Sequence, residues 1–303
     1  MINHAFAYAA LCGAVGILLA GAPVSHANGA DGATTVSSLA KETHFHGIAV
    51  DQRDRSRLYL ATHHGFYAVT PDGTAVLISE TRDDFMGFTA HPSDPAKLFA
   101  SGHPHSGGNL GFLASRDGGK SWIKLSDGFG GPVDFHQMDI SKADPMVIYG
   151  IYRVLQRSDD GGRSWKRVGP PPDGLIDVAA SSLNADTLYA ATQHGLVRSA
   201  DGGKSWDIAH TLRRPATMVH VTPAGDIYAF IVGTGLVHAT ERELQWRVLS
   251  QGFRDEYVLH FTIDPTDRRQ LYAIAFNPGT KLQTVRASHD GGATWRRLQG
   301  DRP

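Results

Sequence analysis

Four copies of one short turn dominate this chain: Ser115-Arg-Asp117-Gly-Gly119-Lys-Ser121-Trp122 and its counterparts at Ser158 to Trp165, Ser199 to Trp206 and Ser288 to Trp295. Their aspartates stand at 117, 160, 201 and 290, so the intervals are 43, 41 and 89 residues, the last close to two lengths of one unit. A period of about 40 to 45 residues marks a radial or solenoidal array of similar units.

Aligning backwards from each aspartate gives the content of a unit. An apolar strand leads through a polar turn into a second strand ending in Leu-Tyr-Ala or similar, as in Arg57-Leu-Tyr-Leu60, Thr187-Leu-Tyr-Ala190 and Gln270-Leu-Tyr-Ala273. A third strand enters the Asp turn, and the tryptophan begins a fourth. Two units have lost the turn consensus, at Thr70-Pro-Asp72-Gly73 and at Thr240 to Trp246. Six units of four antiparallel strands predict an all-β, six-bladed β-propeller, seven blades being the weaker count for want of chain. Within the turn, Asp can accept local backbone N–H groups, Gly supplies positive φ and Trp packs on the sheet, so the turns are predicted to be structural.

Composition narrows the setting. An apolar stretch, Ala5 to Ala22, precedes Ser25-His-Ala27, and the small residues suit signal-peptide cleavage after Ala27. Met1 to His4 carries no Lys or Arg, which leaves an uncleaved N-terminal anchor as the alternative. The expected organisation is a signal peptide at 1–27, a flexible lead-in at 28–42 and one propeller domain at 43–303, periplasmic or secreted, with no membrane span in the mature chain. Cys12 is the only cysteine and falls in the cleaved segment, so disulfides and cysteine-ligated zinc are excluded for the mature domain. A formal net charge of −1 and a pI near 7.0 give no electrostatic footprint for nucleic acid. Ring closure is expected from blade-to-blade packing, helped by residues 33–41 as an added strand.

With these turns the chain resembles the Asp-box (BNR-repeat) β-propellers, a group that includes sialidases, sortilin-like domains and photosystem II assembly-factor-like proteins. His44-Phe-His46-Gly47, Ala61-Thr-His63-His64-Gly65, Asp84-Phe-Met86-Gly87 and Ser101-Gly-His103-Pro104 are similar to a bacterial propeller family labelled glycosylhydrolase. That resemblance implies glycosidic-bond hydrolysis but carries no catalytic residue with it. The Phe/Tyr-Arg-Ile-Pro signature of bacterial sialidases is missing before the first blade.

Strand direction sorts residues by face. The Asp turns share one face with the first-to-second turns, while the beginnings of the innermost strands and the second-to-third loops share the other, here called the top. Three successive inner strands begin His44-Phe45-His46, Asp84-Phe85-Met86 and Asp134-Phe135-His136. Residues i and i+2 of a strand point the same way, so the polar pair should face the channel mouth and each Phe the opposite side. Asp177, His220 and His260 follow one residue further along in the later blades. The top loops add His63, His64, His103, His105 and His194.

Four readings fit this face. A transition metal, copper or zinc, would take its ligands from His44, His46, Met86, His103, His105 and His136, with Asp84 and Asp134 as ligands or as acceptors fixing the imidazole tautomers. A small ligand or glycan would be held there with help from Arg153, Arg254, Tyr257, His63 and His64. As a glycoside hydrolase the chain would use Asp84 and Asp134 as its carboxyl pair. As a non-catalytic scaffold it would bind a protein partner through Tyr152, Arg153, Phe253, Arg254 and Tyr257. Against all four stands the plain alternative that these side chains fill a polar channel mouth. Metal or small-ligand binding is the leading expectation.

Overall fold

A computed structural model describes residues 32–298. The predicted signal segment, with Cys12, lies outside them. The rest is a six-bladed propeller, each blade a four-stranded antiparallel meander running from the axis outward. The inner strands are Phe45–Val50, Asp84–Ala90, Gln137–Ile140, Leu175–Ala180, Ala216–Val221 and Tyr257–Ile263. Second strands such as Leu58–Thr62 and Leu188–Thr192 are buried at every position because another blade covers each face. Outer strands are the wet ones, and Ile123, Ile208 and Val248 on them are exposed.

The apolar core is divided among the seams between blades. Tyr59, Phe66, Phe85 and Leu113 fill the seam of blades one and two, Phe112, Phe135 and Ile148 that of two and three, and Tyr149, Leu155 and Leu188 that of three and four. Phe45, Phe85 and Phe135 are each at most 1% exposed, so the aromatic member of each inner-strand triplet does turn away from the channel.

The repeated turns wedge these seams. In blade three the Ser158 hydroxyl donates to Asp160 and accepts the Gly162 amide at 2.8 Å each, while the Ser164 hydroxyl donates to Asp160 at 2.6 Å. The same pattern recurs around Asp117, Asp201 and Asp290. Gly162 (φ +88°) thereby presses on the preceding blade, where a Cβ would stand 1.9 Å from the Phe112 ring. Gly119 meets Phe66 and Gly203 meets Leu155 in the same way. Trp165 follows with its ring 5.2 Å from Phe112 and 4.8 Å from Phe135, its Nε1–H donating to the Gly162 carbonyl. Blade five lacks the turn, and Glu241 replaces it by accepting from the Ser181 hydroxyl and from the amide and hydroxyl of Ser182 in blade four.

Among the described residues, closure uses no shared strand. The lead-in supplies a fifth strand, Ala33–Thr35, on the outer edge of blade one, and then a helix, Val36–Glu42, where continued strand was expected. Thr35 caps that helix by accepting the Ser38 amide, and Val36 and Leu39, on one face at i and i+3, bury against Ile274 and Val285 of blade six. Gln283 of blade six accepts the Phe45 amide and donates to its carbonyl, clamping blade one.

Two outcomes follow. Gly162→Ala should cost about 3 kcal/mol or more in urea unfolding, from a forbidden backbone conformation plus overpacking. Gly130→Ala, at φ +81° with nothing within 4 Å, should cost about 1 to 2 kcal/mol; equal losses would remove the wedge from Gly162. The Ser205 hydroxyl, then its amide, hold Asp201 well below the usual carboxylate range, and Thr294 does so for Asp290. Partial burial raises Asp160, but hydrogen bonds from Ser164, Ser158 and Arg163 outweigh it and leave it at about 2. Depressed folded-state values mean stability that is full above the unfolded value, near 3.9, and is lost as pH falls through the folded one. Thermal midpoints should therefore drop between about pH 5 and 2, and Asp201→Asn should flatten that limb.

Candidate functional site

The site lies where blades one and two meet at the top of the channel. His46 is the extra residue of a β-bulge, since Phe45 pairs Thr62 and Gly47 pairs Ala61, leaving His46 unopposed. A bulge re-aims the side chain it carries. His63 and His64 form the turn between Thr62 and Gly65. The Thr62 hydroxyl donates to the Gly65 carbonyl and accepts the His64 amide, and the His63 amide donates to the His44 carbonyl at 3.1 Å. Blade four repeats this turn with Thr192, Gln193 and His194, so the hairpin is structural and its histidines are cargo.

Asp84 begins the inner strand of blade two and is 3% exposed. Gly102 on the neighbouring strand makes room for it, because a Cβ there would stand 1.9 Å from the Asp84 carbonyl oxygen. Around the carboxylate stand three imidazoles: His63 Nδ1 and His103 Nε2 (3.1 Å) at Oδ2, and His46 Nε2 at 3.6 Å from Oδ1. The His46 and His63 rings meet edge to face at 4.4 Å, with His44 5.7 Å from His63. His64 and His105 stack at 5.4 Å just outside.

These contacts are close in distance but not aligned for hydrogen bonding. Both Asp84 carboxylate oxygens and His46 Nε2 are buried with no hydrogen-bond partner. Among the described residues, His46, His63 and Asp84 are the group whose ligating atoms all fall within 4.8 Å of one another, suited to a metal ion. Burial first, then the neighbouring His63, holds the His46 imidazole well below 6.5 and therefore neutral at pH 7. Burial and His63 lower His44, and burial and His105 lower His64.

The other expected residues spread around this centre. His136, in blade three, pairs through Nε2 with Asp134 at 3.2 Å, and that bond raises its affinity for a proton. Met86 is buried two residues beyond Asp84. Arg153, held at φ +62°, lies over the Tyr152 ring at 5.2 Å, while Arg254 is exposed and Tyr257 half-buried at the start of blade six. Glu256 is a buried structural anion bound by Arg286 and Arg297. Sequence reasoning placed His63 with the small-ligand residues, and offered Asp84 both as a hydrolase carboxyl and as a metal ligand or an acceptor fixing the imidazole tautomers. The signal that joins them to His46 is the shared top-face position of turn and strand start in adjacent blades.

Below the mouth, a cavity of about 170 Å³ runs along the axis, with His46, His136, Asp177, His220 and His260 in its wall. Burial pushes His220 down to about 3 and His260 to about 4, and raises Asp177 to about 7. Asp177 accepts the Val219 amide of blade five, and Asp139 of blade three the Ala180 amide of blade four. These two acids stitch neighbouring blades.

No protein-family model matches the chain. Among curated proteins, a probable oligoxyloglucan-reducing end-specific xyloglucanase of Neosartorya fischeri is 24% identical over 234 residues, covering 66% of this chain and 28% of that protein. The chain thus spans less than a third of that relative's length. Among solved structures, a GH74 enzyme of Niastella koreensis aligns with a TM-score of 0.58 and 13% identity over 85% of this chain and 45% of its own. A GH74 xyloglucanase of Xanthomonas campestris gives 0.54 and 18% over 84% and 45%. YCF48 of Cyanidioschyzon merolae gives 0.50 and 18% over 84% and 85%. At these identities the likeness shows the propeller fold, shared by glycoside hydrolases and by other proteins.

The pairing of His136 with Asp134 gives a direct check. In NMR titrations His46 should stay neutral to well below pH 6.5, and His136 should titrate above it. Asp134→Asn should return His136 to an ordinary value; an unmoved His136 would detach it from Asp134.

Proposed function

We propose that the protein binds a transition-metal ion, zinc or copper, through His46, His63 and Asp84 at the top of its channel. The observation that carries this is the set of buried polar atoms that converge without pairing. Such atoms are costly to bury, and a bound ion is a standard reason for their persistence. Imidazole and carboxylate donors suit both metals, and ligands about 2 Å from an ion stand roughly 3.3 to 3.6 Å apart, so small side-chain rotations would close the group. A fourth position is left for His103 or a small ligand, with Arg153, Arg254 and Tyr257 further out on the same face. Export belongs to the same proposal, resting on Ala5 to Ala22 and the small residues before Asn28. No described helix is long and apolar enough to cross a membrane.

A glycoside hydrolase is the second reading, favoured by the xyloglucanase similarity and by Asp84 and Asp134 on the top face of consecutive blades. It would need two carboxyls about 5 to 9.5 Å apart across the scissile bond. Asp84 is already surrounded by three imidazoles, which favours the metal.

Tag-free protein stripped with chelator and dialysed against zinc or copper should hold one equivalent by elemental analysis and melt several degrees higher. The double change His46→Ala/His63→Ala should abolish both effects, whereas Asp134→Asn should leave them intact and remove only a glycosidase activity. Wild-type protein that retains no ion and gains no thermal stability would end the proposal.

A further inference from the structure

Three residues suffice to hold one ion, yet the same mouth carries four more imidazoles, those of His44, His64, His103 and His105. They are graded by exposure. His105 is exposed on the loop after Leu98–His103, the His103 and His63 side chains are 44% and 38% exposed, His46 is at 15% and Asp84 at 3%. Consecutive rings lie within reach: His64 to His105 5.4 Å, His63 to His64 6.2 Å, and His63 to His103 6.3 Å between centroids. His64 Nδ1 is buried without a partner, and His103 Nε2 already touches the carboxylate oxygen that His63 shares.

We propose that the stacked His64 and His105 form an outer receiving position for the same ion, from which it passes, with His103 as a further donor beside Asp84, to His46, His63 and Asp84 by stepwise exchange of imidazole ligands. This rests on the metal-binding reading and adds that the ion is exchanged, not permanently resident. A hydrated cation sheds its waters slowly into a buried site unless replacement donors meet it on the way. The stacked His64–His105 pair offers the first two at the solvent edge, and His103 bridges toward Asp84. The loop bearing His105 also contains Gly107 and Gly108, both at φ +84° and both with open space around them.

The test is the loading rate of the metal-free, tag-free chain, followed by stopped flow as it takes zinc from a chromophoric chelator. His64→Ala/His105→Ala should load at least tenfold more slowly yet still reach one tightly held equivalent. His64→Gln/His105→Gln should behave alike, which separates loss of imidazole from loss of bulk, and unchanged melting in chelator confirms the fold. Loading at the wild-type rate, or loss of the tight equivalent itself, would overturn the receiving position. Wild-type protein that takes no zinc would instead overturn the metal site on which it depends.

Discussion

At four of the six seams a glycine of one turn lies against an aromatic ring or leucine of the blade before it, and the packing of the ring depends on that contact. Gly162 on Phe112 and Gly119 on Phe66 leave no room for a methyl group. The aspartate and serines hold the glycine in its left-handed conformation, and the tryptophan then closes over the same ring. A flat blade cannot bury both of its faces alone. Stacking against neighbours on either side buries them, and this close approach brings six sheets around one axis.

Where the turn is missing, other chemistry performs the same task. Glu241 reaches back to Ser181 and Ser182 in place of the turn in blade five. At the last seam, Gln283 and the Val36–Glu42 helix join the two ends of the described chain. Inner-strand carboxylates add a second set of ties, with Asp139 and Asp177 each accepting an amide from the next blade. Acids in this channel therefore divide into two kinds. Asp139 and Asp177 are satisfied by backbone and serve the ring, whereas Asp84 faces imidazoles that do not satisfy it, and the metal-binding proposal rests on that difference.

The repeat and the strand alternation were legible in the order of residues. Spacing of the aspartates gave the length of a unit, and alignment of the strands counted six. The Phe of each His/Asp-Phe-His/Met triplet turned into its seam, in blade one beside the His46 bulge and in blade three just before the strand Gln137–Ile140. The helix at 36–42 was not legible as such, because its seven residues carry only one apolar face and become helical by docking on blade six.

Sequence alone determined which residues would gather at the top face, because strand direction in an antiparallel meander assigns every loop to one end. It could not decide which of those imidazoles share a carboxylate. That depends on a single-residue bulge at His46, on the missing side chain of Gly102 and on the angle between two blades, all set by packing across a seam whose halves are far apart in the chain. Only the assembled ring made neighbours of His46, His63 and Asp84.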